Sequence, residues 1–213
     1  MMYIEIKVEN KMKIEIKPIN EDISIEIKEE NKMKIEIEPI NKEISIENQK
    51  KIADEIMTRL SIIDNNVILA GGAPRDWSFT KTASDFDFYI KSSDDLNLLS
   101  KILPGGFMLA GVMLVADGTE YVPLLDSIVN VYRTNYKGMS VDVVIMQPDT
   151  VDYIDHFTNN LCKIYYKNGQ LHYTKEFEQA LASKTMDIKL PIHLTRHIKK
   201  MMLKFPDYKL NFV

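Results

Sequence analysis

Residues Val67 to Ile90 read VILAGGAPRDWSFTKTASDFDFYI, and this stretch decides the fold. A short apolar run ends in Gly71-Gly72, and Pro74 then suits the first turn of a helix running to about Phe79. Strand, glycine turn and helix follow with no spacer. Glycine lets the backbone approach a ligand closely, and free N–H groups at a helix start attract phosphate. Downstream, Asp85-Phe86-Asp87-Phe88 alternates acid with aromatic. On a strand, residues i and i+2 point the same way. Asp85 and Asp87 therefore share one face, and Phe86 and Phe88 anchor the other. Two carboxylates that close repel unless a cation or a proton lies between them. An oxygen-only pair of this kind suits Mg²⁺ completed by substrate phosphates.

Val141-Asp142-Val143 supplies a third acid on an otherwise apolar strand. An unpaired acid is costly on a buried strand, so Asp142 is expected to join Asp85 and Asp87 as catalytic residue and metal ligand. Two metals about 4 Å apart activate an attacking oxygen and neutralise a leaving group. Asp142 would be the general base, or the ligand that polarises an acceptor hydroxyl. The glycine turn, Gly71 and Gly72, would hold a triphosphate, and Arg75 would add a charge-assisted bond to it. Asp76 belongs to the same expected nucleotide-binding set, although Arg75 and Asp76 can also pair with each other.

Working outward, residues 10–30 and 31–51 match at 14 of 21 positions without a gap, so the N-terminus is a duplication. Isoleucine alternates there with Glu, Lys or Ser, at Ile14 and Ile16, Ile23 to Ile27, Ile35 and Ile37, Ile44 and Ile46. That period predicts half-buried strands, with turns over Lys17 to Glu21 and Glu38 to Lys42. The segment 1–48 reads as an antiparallel β appendage whose isoleucine face offers a surface for self-association. Helices are expected over Gln49–Ile63, Ser92/Ser93–Leu103, Val151–Phe157, Lys175–Lys184 and Pro191–Phe205. Strands are expected near Met108–Val115, Ser127–Thr134 and Ser140–Met146, with a hairpin across Asn168-Gly169. Residues 49–174 form the expected central domain and 175–213 a helical segment. The order of elements is that of an α+β chain.

Composition bounds the rest. Of 213 residues, 27 are Lys or Arg and 31 are Asp or Glu, a formal charge of −4. That argues against a general nucleic-acid coat but leaves room for a local basic groove. No apolar run approaches the ~20 residues that span a bilayer, so no membrane partner is expected. The single cysteine, Cys162, suits a reducing cytoplasm. The residue usage and the repeat suit a phage or other mobile element acting in a host.

Gly71-Gly72-Ala73-Pro74-Arg75-Asp76 followed by Asp85-Phe86-Asp87 resembles the nucleotidyltransferase superfamily, specifically the poly(A) polymerase/tRNA nucleotidyltransferase (class II CCA-adding) head. The segment Phe157-Thr158-Asn159-Asn160-Leu161 looks like that family's Arg-Arg-Asp-Phe-Thr-x-Asn motif, with Asn160 at the asparagine. The resemblance implies a polymerase-β-like head with a mixed sheet and flanking helices. It also implies a Mg²⁺-dependent transfer of NMP from an NTP to an RNA 3′ end with pyrophosphate release, and a nucleotide or structural contact at Asn160. Ile154, Asp155 and His156 stand where the family has two arginines and an aspartate, and its base-selecting Glu-Asp-x-x-Arg is not visible. Two further readings stay open: a minimal toxin-type enzyme that nucleotidylates a protein, and a non-catalytic nucleotide- or RNA-binding module.

Overall fold

The computed structural model describes residues 16–19, 22–25, 44–91, 96–103, 108–109, 127–147, 153–189 and 195–213. The chain divides into two compact units, Met1–Glu43 and Ile44–Val213. In the first, β1 (Ile16–Ile19) pairs antiparallel with β2 (Asp22–Ile25), Ile16 opposite Ile25 and Ile19 opposite Asp22. Lys17, Pro18 and Ile19, expected in a turn, lie in a strand instead. A two-stranded ribbon has only edges, where a missing N–H is tolerated. The remaining strands expected in 1–43, and the reach of the Met108 strand beyond Leu109, lie outside the described residues.

The second unit starts with α1 (Ile46–Leu60), capped by Ser45, whose side chain accepts the Asn48 N–H. Ile46, expected in a strand, is thus in the first helical turn. Ile52, Ala53, Ile56, Met57 and Leu60 are buried at helical spacing. Then come β3 (Ile68–Ala70), α2 (Gly72–Ser78), β4 (Asp85–Lys91), α3 (Leu96–Ile102), β5 (Met108–Leu109), β6 (Ile128–Tyr136) and β7 (Met139–Met146). After two 3₁₀ turns, Tyr153–His156 and Asn160–Cys162, follow β8 (Ile164–Lys167), β9 (Gln170–Tyr173) and α4 (Lys175–Ser183). The chain ends with β10 (Thr185–Ile188), α5 (Thr195–Lys204) and β11 (Lys209–Phe212).

Seven strands form one mixed sheet in the order β5-β6-β7-β4-β3-β8-β9. Only the central pair β4 and β7 is parallel, and the other neighbours are antiparallel. The two hairpins turn on Lys137-Gly138 (φ +49° and +85°) and Asn168-Gly169 (φ +51° and +77°). Positive φ at both central residues matches the strand twist of a type I′ turn. Phe86, Phe88, Ile90, Val141, Val143 and Ile145 face α1, α3 and Trp77 in the main core. The opposite face has two halves. Ile68, Tyr89, Val131, Val144 and Met146 are covered by Phe157 and Cys162. The other half carries Asp85, Asp87, Asp142 and Arg133. A third cluster joins Leu161, Ile164, Phe177, Met186, Ile188, Met201 and Phe205, tying the C-terminal elements to the sheet edge. Parallel pairing of β10 with β11 completes that end, where sequence periodicity indicated only helices.

Candidate active site

Phe86 and Phe88 are wholly buried, each contributing about 2–3 kcal/mol of transfer free energy. Their burial fixes the face of β4 and so sends Asp85 and Asp87 to the opposite one. Asp85 is exposed and Asp87 half-buried. Ser84 donates its hydroxyl to Asp85 at 2.9 Å. In the parallel pairing, Asp87 lies opposite Asp142, and Asp85 opposite Ser140. The three acids therefore share one face on two adjacent strands.

β3 runs antiparallel to β4 with Leu69 opposite Phe88. Continuing that register brings Gly71 and Gly72 beside the end of β4 that carries the acids. Gly71 has φ +78°, a conformation that side chains other than glycine adopt at a cost. A Cβ on Gly72 would meet Arg75 Nη2 at 3.7 Å and no closer atom among the described residues. Bare backbone at these two positions lets a ligand approach closely.

Behind the turn lies a buried ionic cluster. Arg75 is 4% exposed. It donates to Asp76 at 3.0 Å and to the Cys162 sulfur at 3.1 Å, and it lies 5.6 Å over the Phe205 ring. Asp76 also pairs with Lys204 of α5. Arg75 and Asp76, expected to hold nucleotide, thus lie beneath the glycine turn and brace it. Asn160 also acts within the protein: its side chain accepts the Asp187 N–H at 3.0 Å and donates to the Thr185 carbonyl at 3.3 Å. All three residues sit in the seam between the sheet and the C-terminal elements, where an unpaired polar group is costly.

Asp142 has a partner that the sequence reading missed. Arg133 donates Nε to one carboxylate oxygen at 2.7 Å and Nη2 to the other at 2.6 Å. Both oxygens are spanned by one guanidinium fork. The signal was weak, because Arg133 stands among Asn130, Thr134 and Asn135 on its strand. The pairing rests on the Lys137-Gly138 hairpin, which sets Arg133 opposite Asp142. Among the described residues, no three His, Cys, Asp or Glu side chains group closely enough to hold a metal ion. Asp85 and Asp87 fit a Mg²⁺ ion with phosphate ligands by donor chemistry, whereas Asp142, engaged by Arg133, does not fit as a third ligand in this arrangement.

Ile154, partly buried, packs against the second core, and Tyr153 stacks on Tyr89 at 5.3 Å. Within the expected helix over Val151–Phe157, the described residues form a 3₁₀ turn, Tyr153–His156, which lays these side chains against the sheet.

In a comparison with solved structures, the chain is similar to the Thermotoga maritima CCA-adding enzyme complexed with tRNA. The TM-score is 0.53 and the identity 12%, over 76% of this chain and 39% of that one. A CCA-adding enzyme solved with ATP matches with a TM-score of 0.50 and 13% identity, over 76% and 39% of the respective chains. Over that span the chain shares the fold of those enzymes. At such low identity the likeness is one of fold, and the chain spans about two fifths of the length of those enzymes. No protein-family profile and no curated protein matches the sequence. In this shared fold, Asp85 and Asp87 lie beside the glycine turn, and Asp142 flanks them. No described helix is long and apolar enough to cross a membrane.

Proposed function

We propose that the chain is a Mg²⁺-dependent nucleotidyltransferase that moves NMP from an NTP to the 3′ hydroxyl of an RNA, releasing pyrophosphate. The observation that carries this reading is the pair Asp85 and Asp87 on one strand face beside the Gly71-Gly72 turn, within a nucleotidyltransferase fold. Two enzymes of similar fold were solved with tRNA and with ATP, which favours an RNA acceptor.

In the proposed mechanism, the glycine turn receives the triphosphate against open backbone. Asp85 and Asp87 would hold the metal, and burial of Phe86 and Phe88 fixes the strand face that carries them. When bound, Mg²⁺ supplies charge neutralisation at the transferred phosphorus. The chain's own contribution is positioning: an acceptor oxygen in line with the leaving pyrophosphate, over a rigid strand. Arg75 and Asp76 brace the turn from below. A second metal on Asp142 would require that carboxylate to exchange Arg133 for the ion.

The test is to incubate the full chain with each α-³²P-NTP, Mg²⁺, bulk tRNA and a bacterial lysate. Label entering RNA, and lost in an Asp85→Asn/Asp87→Asn chain, supports the proposal. Label in a protein band moves the acceptor to protein. Absence of label from both pools contradicts nucleotidyl transfer.

A further inference from the structure

We infer that Arg133 binds the triphosphate of the nucleotide and that Asp142 is the positioning residue that holds it there. This rests on the proposed function and adds to it a residue that the sequence motifs do not contain. A triphosphate carries several negative charges, and a site that transfers NMP needs cationic side chains as well as metal. The positions where the resembled family has arginines supply none: Ile154 is apolar and packs, partly buried, against the second core, and Asp155 is an acid. Several other described cations near the sheet are paired with acids. Arg75 is buried against Asp76, Lys204 pairs with the same acid, and Lys163 is 5% exposed and pairs with Glu176.

Arg133 differs in position and exposure. Its side chain is 50% exposed, while that of its partner Asp142 is 9% exposed. In register, Asp87, Asp142 and Arg133 form one row across three adjacent strands. At roughly 4.8 Å per strand, the Arg133 backbone lies about 10 Å from that of Asp87. The guanidinium leans back over Asp142 and shortens that gap. A phosphate chain held at the glycine turn and over Asp85 and Asp87 would present only its metal-held end toward the guanidinium. The two-point fork to Asp142 fixes the guanidinium plane, so the rotamer entropy is lost on folding and not on binding. Lysine has the charge but not the fork.

The experiment uses the folded full chain and inorganic triphosphate, which tests the phosphate subsite without a base. Titration calorimetry with Mg²⁺ compares wild type, Arg133→Gln, Arg133→Lys, Asp142→Asn and Asp87→Asn. Mn²⁺ binding in the presence of triphosphate is followed by electron paramagnetic resonance. Arg133→Gln is expected to weaken triphosphate binding about ten-fold, as for the loss of one charge-assisted contact. Arg133→Lys should recover only part of that loss. Asp142→Asn should weaken triphosphate binding while leaving Mn²⁺ bound, unlike Asp87→Asn. If Arg133→Gln lowers thermal stability, Arg133→Lys carries the same comparison, with a drop supporting the assignment and wild-type affinity overturning it. Wild-type affinity in Arg133→Gln, with a loss in Asp87→Asn, would overturn the role of Arg133 and leave the nucleotide site standing. Loss of Mn²⁺ in Asp142→Asn would make Asp142 a metal ligand and overturn its positioning role. Failure of the wild-type chain to bind triphosphate would refute the transfer reading itself, and this inference with it.

Discussion

Gln49→Leu removes the polar hub that sets the start of β4. Gln49 is 2% exposed. Its Oε1 accepts the Trp77 indole N–H at 2.8 Å and the Ala83 N–H at 2.9 Å, and its Nε2 donates to the Ala83 carbonyl at 2.9 Å. One side chain thus ties α1 to α2 and to the residue two before Asp85. Leucine fills similar volume but leaves three buried groups without partners. At about 1–2 kcal/mol each, that costs roughly 3–6 kcal/mol. The apolar side chain returns roughly 1–2 kcal/mol by burial. The net loss is about 3 kcal/mol. Equilibrium urea unfolding of the full chain measures it. With an m-value of about 2 kcal/mol/M, the midpoint should fall by about 1.5 M. A midpoint within about 0.3 M of wild type would refute the reasoning, because the hub would then contribute almost nothing.

Asp76→Asn should destabilise by about 3 kcal/mol in the same assay, because it leaves Arg75 and Lys204 without their shared carboxylate; a neutral result would remove the brace beneath the glycine turn. Gly138→Ala should cost about 1 kcal/mol, since φ is +85° and the new Cβ would press on Ile44 Cδ1 at 3.4 Å; thermal unfolding reads it. Hydrogen bonds from Lys137, then Tyr136, hold Glu55 down to about 2 from its ordinary 4.5. Its folded value is the lower one, so its contribution to stability is present above about 4.5 and fades as pH falls toward 2. Glu55→Gln should therefore flatten the stability–pH curve in that window, which acid titration of the unfolding midpoint would show.

The sequence made β4 and its acids legible because alternation on a buried strand is a strong local signal. Phe86 and Phe88 could only face the core, so Asp85 and Asp87 had to face away. The hairpin at Asn168-Gly169 was legible for the same local reason. Long-range pairing was not. Arg133 meets Asp142 through a register that Lys137-Gly138 sets, and the sequence assigned Asp142 a metal in place of an arginine. The start of α1 was hidden because Ile44-Ser45-Ile46 continues the alternation of the repeat, while Ser45 in fact caps the helix. β10 and β11 pair in parallel across α5, and each is only four residues long. Lys184 turns the chain into β10 at φ +50° without the glycine that would have marked the turn. The motifs mark Arg75, Asp76 and Asn160, but the C-terminal elements bury them, and nothing local in the sequence announces that packing.

The most direct measurement of the central claim is pyrophosphate release from Mg²⁺-NTP in the presence of tRNA, comparing wild type with Asp87→Asn. The account predicts release by the wild-type chain that falls by about 10²-fold or more in the variant. Equal release by both chains, or none by wild type with any of the four NTPs, would contradict it.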